Sequence, residues 1–240
     1  MLRRLVIALF AAATANGIAA EPLLQLTFAA EGSVPAPPWH VVGLPEQTKP
    51  FTRFSVVELE NVRALRVEAD KSYGNLVYPL RLNDGTPHLV WEWRVEQPIA
   101  AADLQTRQGD DTALKVCVMF DLPLDKIPFV DRQTLRYARS HSNDPVPGAT
   151  VCYVWDGHLP AGTALDSAFT RRIRYVVVQG AGAALHHWVA ERRDVAADFA
   201  KLFGDESDRV PTIIGVAVGA DADNTRSHSL GHVAGIALEP

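Results

Sequence analysis

No run of basic residues in this chain is longer than two: the pairs are Arg3–Arg4, Arg171–Arg172 and Arg192–Arg193. With a net charge of -5, that scarcity argues against a nucleic-acid binder, which needs clustered Lys and Arg to release counterions. Signature loops are missing as well. There is no G-x-x-x-x-G-K-[ST] or G-x-G-x-x-G to cradle phosphates, no H-E-x-x-H for zinc and no G-x-S-x-G elbow for a serine hydrolase. Beyond the N-terminus no run is apolar enough to span a membrane. Two cysteines among 240 residues carry little pattern. Strands and helices do not alternate, which disfavours a doubly wound nucleotide fold.

What is present is an ordinary globular composition, 48% hydrophobic and 21% charged. The N-terminus has a targeting pattern. Arg3 and Arg4 precede the apolar Leu5–Ala13, and "ANGIAA" offers small residues for cleavage near Ala19 or Ala20. Residues 1–20 are therefore expected to be a signal peptide. Residues 21–240 are expected to form one exported domain, periplasmic or secreted.

That domain reads as mainly β. Short alternating or Val/Ile-rich runs recur: "RFSVVEL" (53–59), "VRALRVEA" (62–69), "HLVWEWRVE" (88–96), "ALKVCVMFD" (113–121), "TVCYVWD" (150–156), "RIRYVVVQ" (172–179) and "TIIGVAVG" (212–219). Turn residues separate them, as in "NDGTP" and "RQGDD". The pattern predicts an antiparallel β-sandwich or jelly roll. Two short helices are expected, one after Pro128 within 128–141. The other lies within 194–204, capped by Asp194 and ended by Gly204. Cys117 and Cys152 lie in two of the strand-like runs. They either pair across neighbouring strands or remain buried thiols.

Several groups are candidates for chemistry. In "HLVWEWRVE" alternation sends Leu89, Trp91, Trp93 and Val95 to one face, expected to be core, and Glu92 and Arg94 to the other. "GDD" supplies Asp110 and Asp111 just before a strand. "VGADADNTRSHS" (218–229) puts Asp221, Asp223, Asn224 and Thr225 into five positions. It fails the EF-hand template, since Arg226 holds the glycine place and His232 the closing glutamate place. Irregular loops of such oxygens still suit calcium, and Asp and Asn also make plain turns.

Taken together, "WEWRV", "GDDTALKVCVMFD", "VCYVWD", "HWVAERRDVAADFAKLFG" and "GVAVGADADNTRSHSLGHVAGIAL" resemble an uncharacterised bacterial exported family, the domain of unknown function numbered 3047. The chain departs from that pattern at Ala222, where the family has Thr, and at Asp194, where it has Asn. The resemblance implies a galactose-binding-like sandwich. It draws attention to Arg94, Asp110, Asp111, Glu191, Arg192, Arg193, Asp221, Asp223, Asn224 and Thr225. The resulting expectation is a non-catalytic binding module for carbohydrate or a cell-envelope glycan. Its ligand-binding residues would be Glu92, Arg94, Asp110, Asp111, Trp155, Arg193, Asp223 and Asn224, with Trp155 stacking on a sugar ring. In a calcium-assisted variant Asp221, Asp223, Asn224 and Thr225 hold the ion. One alternative is a polysaccharide-acting enzyme using Asp110 or Asp111 with Asp223. Another is an interaction module in which the charges form ion pairs, Arg94 or Arg193 against Asp110 or Asp223.

Overall fold

A computed structural model describes residues 24–28, 32, 34–44, 46–83, 87–142 and 144–240. The expected signal segment lies outside the described residues. In chain order the strands are β1 (Leu24–Gln25), β2 (His40–Val42), β3 (Arg53–Leu59), β4 (Val62–Asp70), β5 (Tyr73–Leu82), β6 (His88–Gln97) and β7 (Thr112–Phe120). Helix α1 (Phe129–Ser140) follows, then β8 (Ala149–Trp155), β9 (Ala164–Asp166), β10 (Ile173–Gln179) and β11 (Val189–Asp194). Helix α2 (Val195–Phe203), β12 (Ile213–Asp221) and β13 (His228–Glu239) complete the chain.

Among the described residues the strands form two sheets. The first runs β11-β6-β13-β4-β3, with β1 paired to β13. The second runs β2-β5-β12-β7-β8-β10-β9. The chain crosses between sheets from β4 to β5, β5 to β6, β6 to β7 and β12 to β13, which stacks the sheets as a sandwich. Every pair is antiparallel except β8 with β10, which is parallel and so departs from the purely antiparallel expectation. That pair is possible because β9 intervenes in sequence and pairs with the far side of β10.

Trp91 and Trp93 project into the space between the sheets and are fully buried, as the alternation of β6 predicts. They meet edge to face at 5.4 Å. Trp91 stacks on Tyr153 at 5.2 Å, and Trp93 meets Trp155 edge-on at 5.5 Å. Helix α2 buries Val195, Phe199 and Leu202, and the Asp194 carboxylate accepts the Ala197 N–H at 2.9 Å as an N-cap.

The central strands of the second sheet, β12, β7 and β8, are largely buried on both faces. β8 has no exposed residue, which is why its sequence is apolar apart from Thr150 instead of alternating. Its inner face packs on the first sheet. Its outer face carries a second apolar cluster of Val77, Leu104, Cys117, Cys152, Val154, Tyr175, Val177 and Ala217. Cys117 lies opposite Cys152 in the β7–β8 register, and the two sulfurs are bonded.

Candidate functional site

Strand register organises the outer face of the second sheet. Val77, Ala217, Cys117, Cys152 and Tyr175 form one row across β5, β12, β7, β8 and β10. One step toward the end of β12 come Asn75, Gly219 and Lys115, and beyond them Tyr73 and Asp221. A step the other way come Gly215, Met119, Thr150 and Ile173. Over these rows lies a cleft of about 450 Å³, within the range of small-molecule sites. Its walls are α1, Ser142 and residues 144–147 after it, residues 42–44 with Lys49, and the 167–170 turn.

One end of the cleft is polar. Lys115 is buried, and its ammonium lies 2.9 Å from Asp221 Oδ2 and 5.2 Å from the Tyr73 ring centroid. Burial alone would depress the lysine pKa, but the nearby Asp221, Tyr73 and Asp110 outweigh it and hold the group above its ordinary value. Asp221 Oδ1 accepts from the Thr112 N–H and hydroxyl at 2.5 and 2.6 Å. Asp110 accepts from the Ser167 hydroxyl, the Ala168 N–H and the Tyr175 hydroxyl at 2.7, 3.1 and 3.0 Å. Burial raises the Asp110 pKa, the Ser167 bond opposes it, and the Asp221 charge adds to it. The pKa of Tyr73 is raised chiefly by burial. Glycine at 219 makes this end possible, since a Cβ there would collide with the Asn75 amide oxygen.

The Asp/Asn loop links β12 to β13 beside this polar end. Asp111 clamps it from behind. Its Oδ1 accepts from the Asn224 N–H and amide, each at 3.2 Å, and its Oδ2 from the Thr225 N–H and hydroxyl at 2.7 and 2.5 Å. The Asn224 amide also donates to the Asp110 carbonyl.

The four residues expected to hold calcium do not share a centre. Asp221 faces Lys115, Asp223 faces the Lys49 ammonium, and Thr225 bonds Asp111 and Ser227. An ammonium already stands where each aspartate would meet a cation. Among the described residues no three His, Cys, Asp or Glu side chains are placed to hold a metal.

The expected ligand-binding residues divide. Asp110, Asp223 and Asn224 line the cleft. Trp155 is 3% exposed and packs on Trp93, so it cannot stack on a sugar; the inward phase of β8 decides this. Glu92 and Arg94 belong to the first sheet, away from the cleft. Arg94 is buried between Glu60 at 2.9 Å and Glu96 at 2.6 Å, under the Trp188 ring. Arg193 pairs with Asp198 at 2.6 Å. Ion pairing at these arginines is therefore real, but with partners other than Asp110 or Asp223. The neighbouring Glu191 is also architectural, accepting from Trp93 Nε1 and the Gln179 amide.

Lys115, Tyr73, Asn75 and Lys49 were not among the expected site residues. Lys115 had a usable signal: it is the one charge inside "ALKVCVMF", in phase with Cys117 and Met119.

A family model described as "Protein of unknown function (DUF3047)" matches residues 37–237. No curated protein matches the chain. Among solved structures, TmCBM61 in complex with beta-1,4-galactotriose is similar at 10% identity and a TM-score of 0.36, over 84% of this chain and 88% of that one. The xyloglucanase domain of NopAA, a type three effector from Sinorhizobium fredii, in complex with cellobiose, is similar at 8% identity and a TM-score of 0.40, over 91% and 99%. Scores this low bear on neither ligand nor activity.

Proposed function

We propose that this chain, which belongs to the DUF3047 family, is an exported binding module that takes a neutral glycan in the cleft of its second sheet. The observation that carries this reading is the pairing of both ammonium groups at the polar end. Lys115 is matched by Asp221, Lys49 by Asp223 and Arg172 by Glu206, so among the described residues lining the cleft no unpaired cation is left for a phosphate or carboxylate ligand. Groups suited to hydroxyls remain: the second N–H and the oxygen of the Asn75 amide, the Asn224 amide oxygen, and spare carboxylate lone pairs on Asp110 and Asp223. The Tyr73 and Phe169 rings at the cleft offer apolar surface for a sugar's C–H face. A disulfide between neighbouring strands fits an oxidising compartment and so supports export.

The test is binding of the full chain to an array of neutral and acidic envelope glycans, wild type against Asp223→Asn. Binding to neutral glycans, at least tenfold weaker in the variant, supports the reading. Binding to none, or to acidic glycans alone, overturns it.

A second reading is favoured by the raised pKa of Asp110. A buried carboxyl shifted upward suits a general acid, with Asp223, also lining the cleft, as base. It requires turnover of a glycan, abolished in Asp110→Asn. Asp111 has no such role, because both its oxygens hold the loop.

A further inference from the structure

Polar and apolar groups separate along the strands of the cleft. At the β12 C-terminal end stand Tyr73, Asn75, Lys115, Asp221 and Asp223. Four residues along β7, roughly 13 Å away at about 3.3 Å per residue, stands Met119, with Ile173 two strands over. Leu135 and Ala138 of α1 and Pro147 form the wall there, and the disulfide and Ala217 form the floor between the two ends. The charges near the apolar end are committed elsewhere. Arg172 is held by Glu206 at 2.7 Å and by Asp131, and Asp144, 3.3 Å from His40 Nε2, is partly exposed to solvent. Thr150 is the remaining polar group on that part of the floor. Met119 and Ile173 are only partly covered by the protein.

A sugar alone satisfies the polar end and leaves this apolar surface wet. Resting on the glycan reading above, we propose that the ligand is a glycoside with an apolar aglycone. The sugar would lie at Asn75 and Asp223, and the aglycone would run over the Cys117–Cys152 bridge toward Met119 and α1. Among the described residues lining the cleft no positive charge is unpaired, which sets this ligand apart from a fatty acid or a phospholipid. Apolar surface beside a polar end whose ammonium groups are paired is instead what an alkyl or aryl glycoside would cover.

The test uses calorimetry on the full chain with methyl, butyl and octyl β-D-glucosides and β-D-galactosides below their micellar concentrations. Each methylene that enters the apolar half should tighten binding by up to about fourfold. At least a tenfold gain from methyl to octyl is expected for the sugar that binds. Ala138→Asp puts a carboxylate into the α1 wall, on a partly exposed helix position, and should remove the gain while leaving the methyl glycoside unchanged. Circular dichroism confirms that the variant folds.

Four outcomes overturn the inference. Methyl glycosides that bind with no gain from chain length leave the glycan reading standing and refute the aglycone. A gain that persists in Ala138→Asp puts the chain elsewhere. Octanol bound as tightly as the octyl glycosides shows that no sugar is read here, and the glycan reading fails with it. Failure of every probe to bind refutes the assignment for alkyl glycosides of these two sugars.

Discussion

Replacing Lys115 with Met keeps the length and apolar stem of the side chain but removes its ammonium. Asp221 would keep its bonds from Thr112, yet its Oδ2 would lose its cationic partner, and both residues are nearly fully buried. Breaking a buried ion pair from one side costs about 3–5 kcal/mol, because the remaining charge is uncompensated. At roughly 2–4 °C per kcal/mol for a domain of this size, the melting midpoint should fall by about 6–20 °C. The double variant Lys115→Met/Asp221→Asn removes the stranded charge and leaves an oxygen for Thr112. It should recover most of the loss, so the two substitutions couple strongly instead of adding. Urea unfolding of the wild type, both single variants and the double variant measures the cycle. A Lys115→Met loss under about 1 kcal/mol, or a double variant no better than the single one, would refute the closed-pair account. The charge-balance argument for a neutral ligand would go with it.

Three further outcomes follow from the same geometry. Asp111→Ala should free the Asn224 and Thr225 donors, cost about 2–4 kcal/mol, and speed amide exchange at residues 222–227 more than elsewhere. Glu68 is held at about 2: burial would raise its pKa, but hydrogen bonds from Arg66, His228 and Arg53 pull it down further. A depressed carboxyl stabilises the fold above its unfolded value near 4.5, and that stability is lost as pH falls toward about 2. Glu68→Gln should therefore flatten the acid limb of a stability–pH curve by about 1–2 kcal/mol, allowing for its partly exposed arginine partners. Millimolar calcium against EDTA should leave the melting midpoint unchanged, because Asp221 and Asp223 already face ammonium groups; a clear rise would restore a cation site.

Much of the fold was legible because alternation reports one-sided burial. β6 shows this: its tryptophans went inward and Glu92 outward, as their phase required. The cap at Asp194 and the apolar face of α2 were equally local signals. β5 was not legible. Gly74, Asn75 and Pro79 weaken its strand character, and Pro79 is tolerated because it lies at an irregularity in the pairing with β12. The same strand supplies Tyr73 and Asn75, so missing it hid half of the cleft. Asp110, Asp223 and Asn224 were found as polar residues at strand ends. Their partners Lys115 and Lys49 depend on pairing between segments about a hundred or more residues apart, which no local pattern records. Trp155 was misjudged for a related reason. In a strand buried on both faces, being large and aromatic does not say which side a residue faces.

The central claim is that a neutral glycan binds over the outer face of the second sheet. Backbone amide shift mapping by nuclear magnetic resonance tests it directly, titrating the full chain with the tightest neutral glycan from the array. The account predicts shifts gathered at Asn75, Lys115, Asp110, Asp223 and Asn224, with Glu92, Arg94 and Arg193 unmoved. Shifts centred on the first sheet around Glu92 and Arg94, or none at saturating glycan, would contradict it.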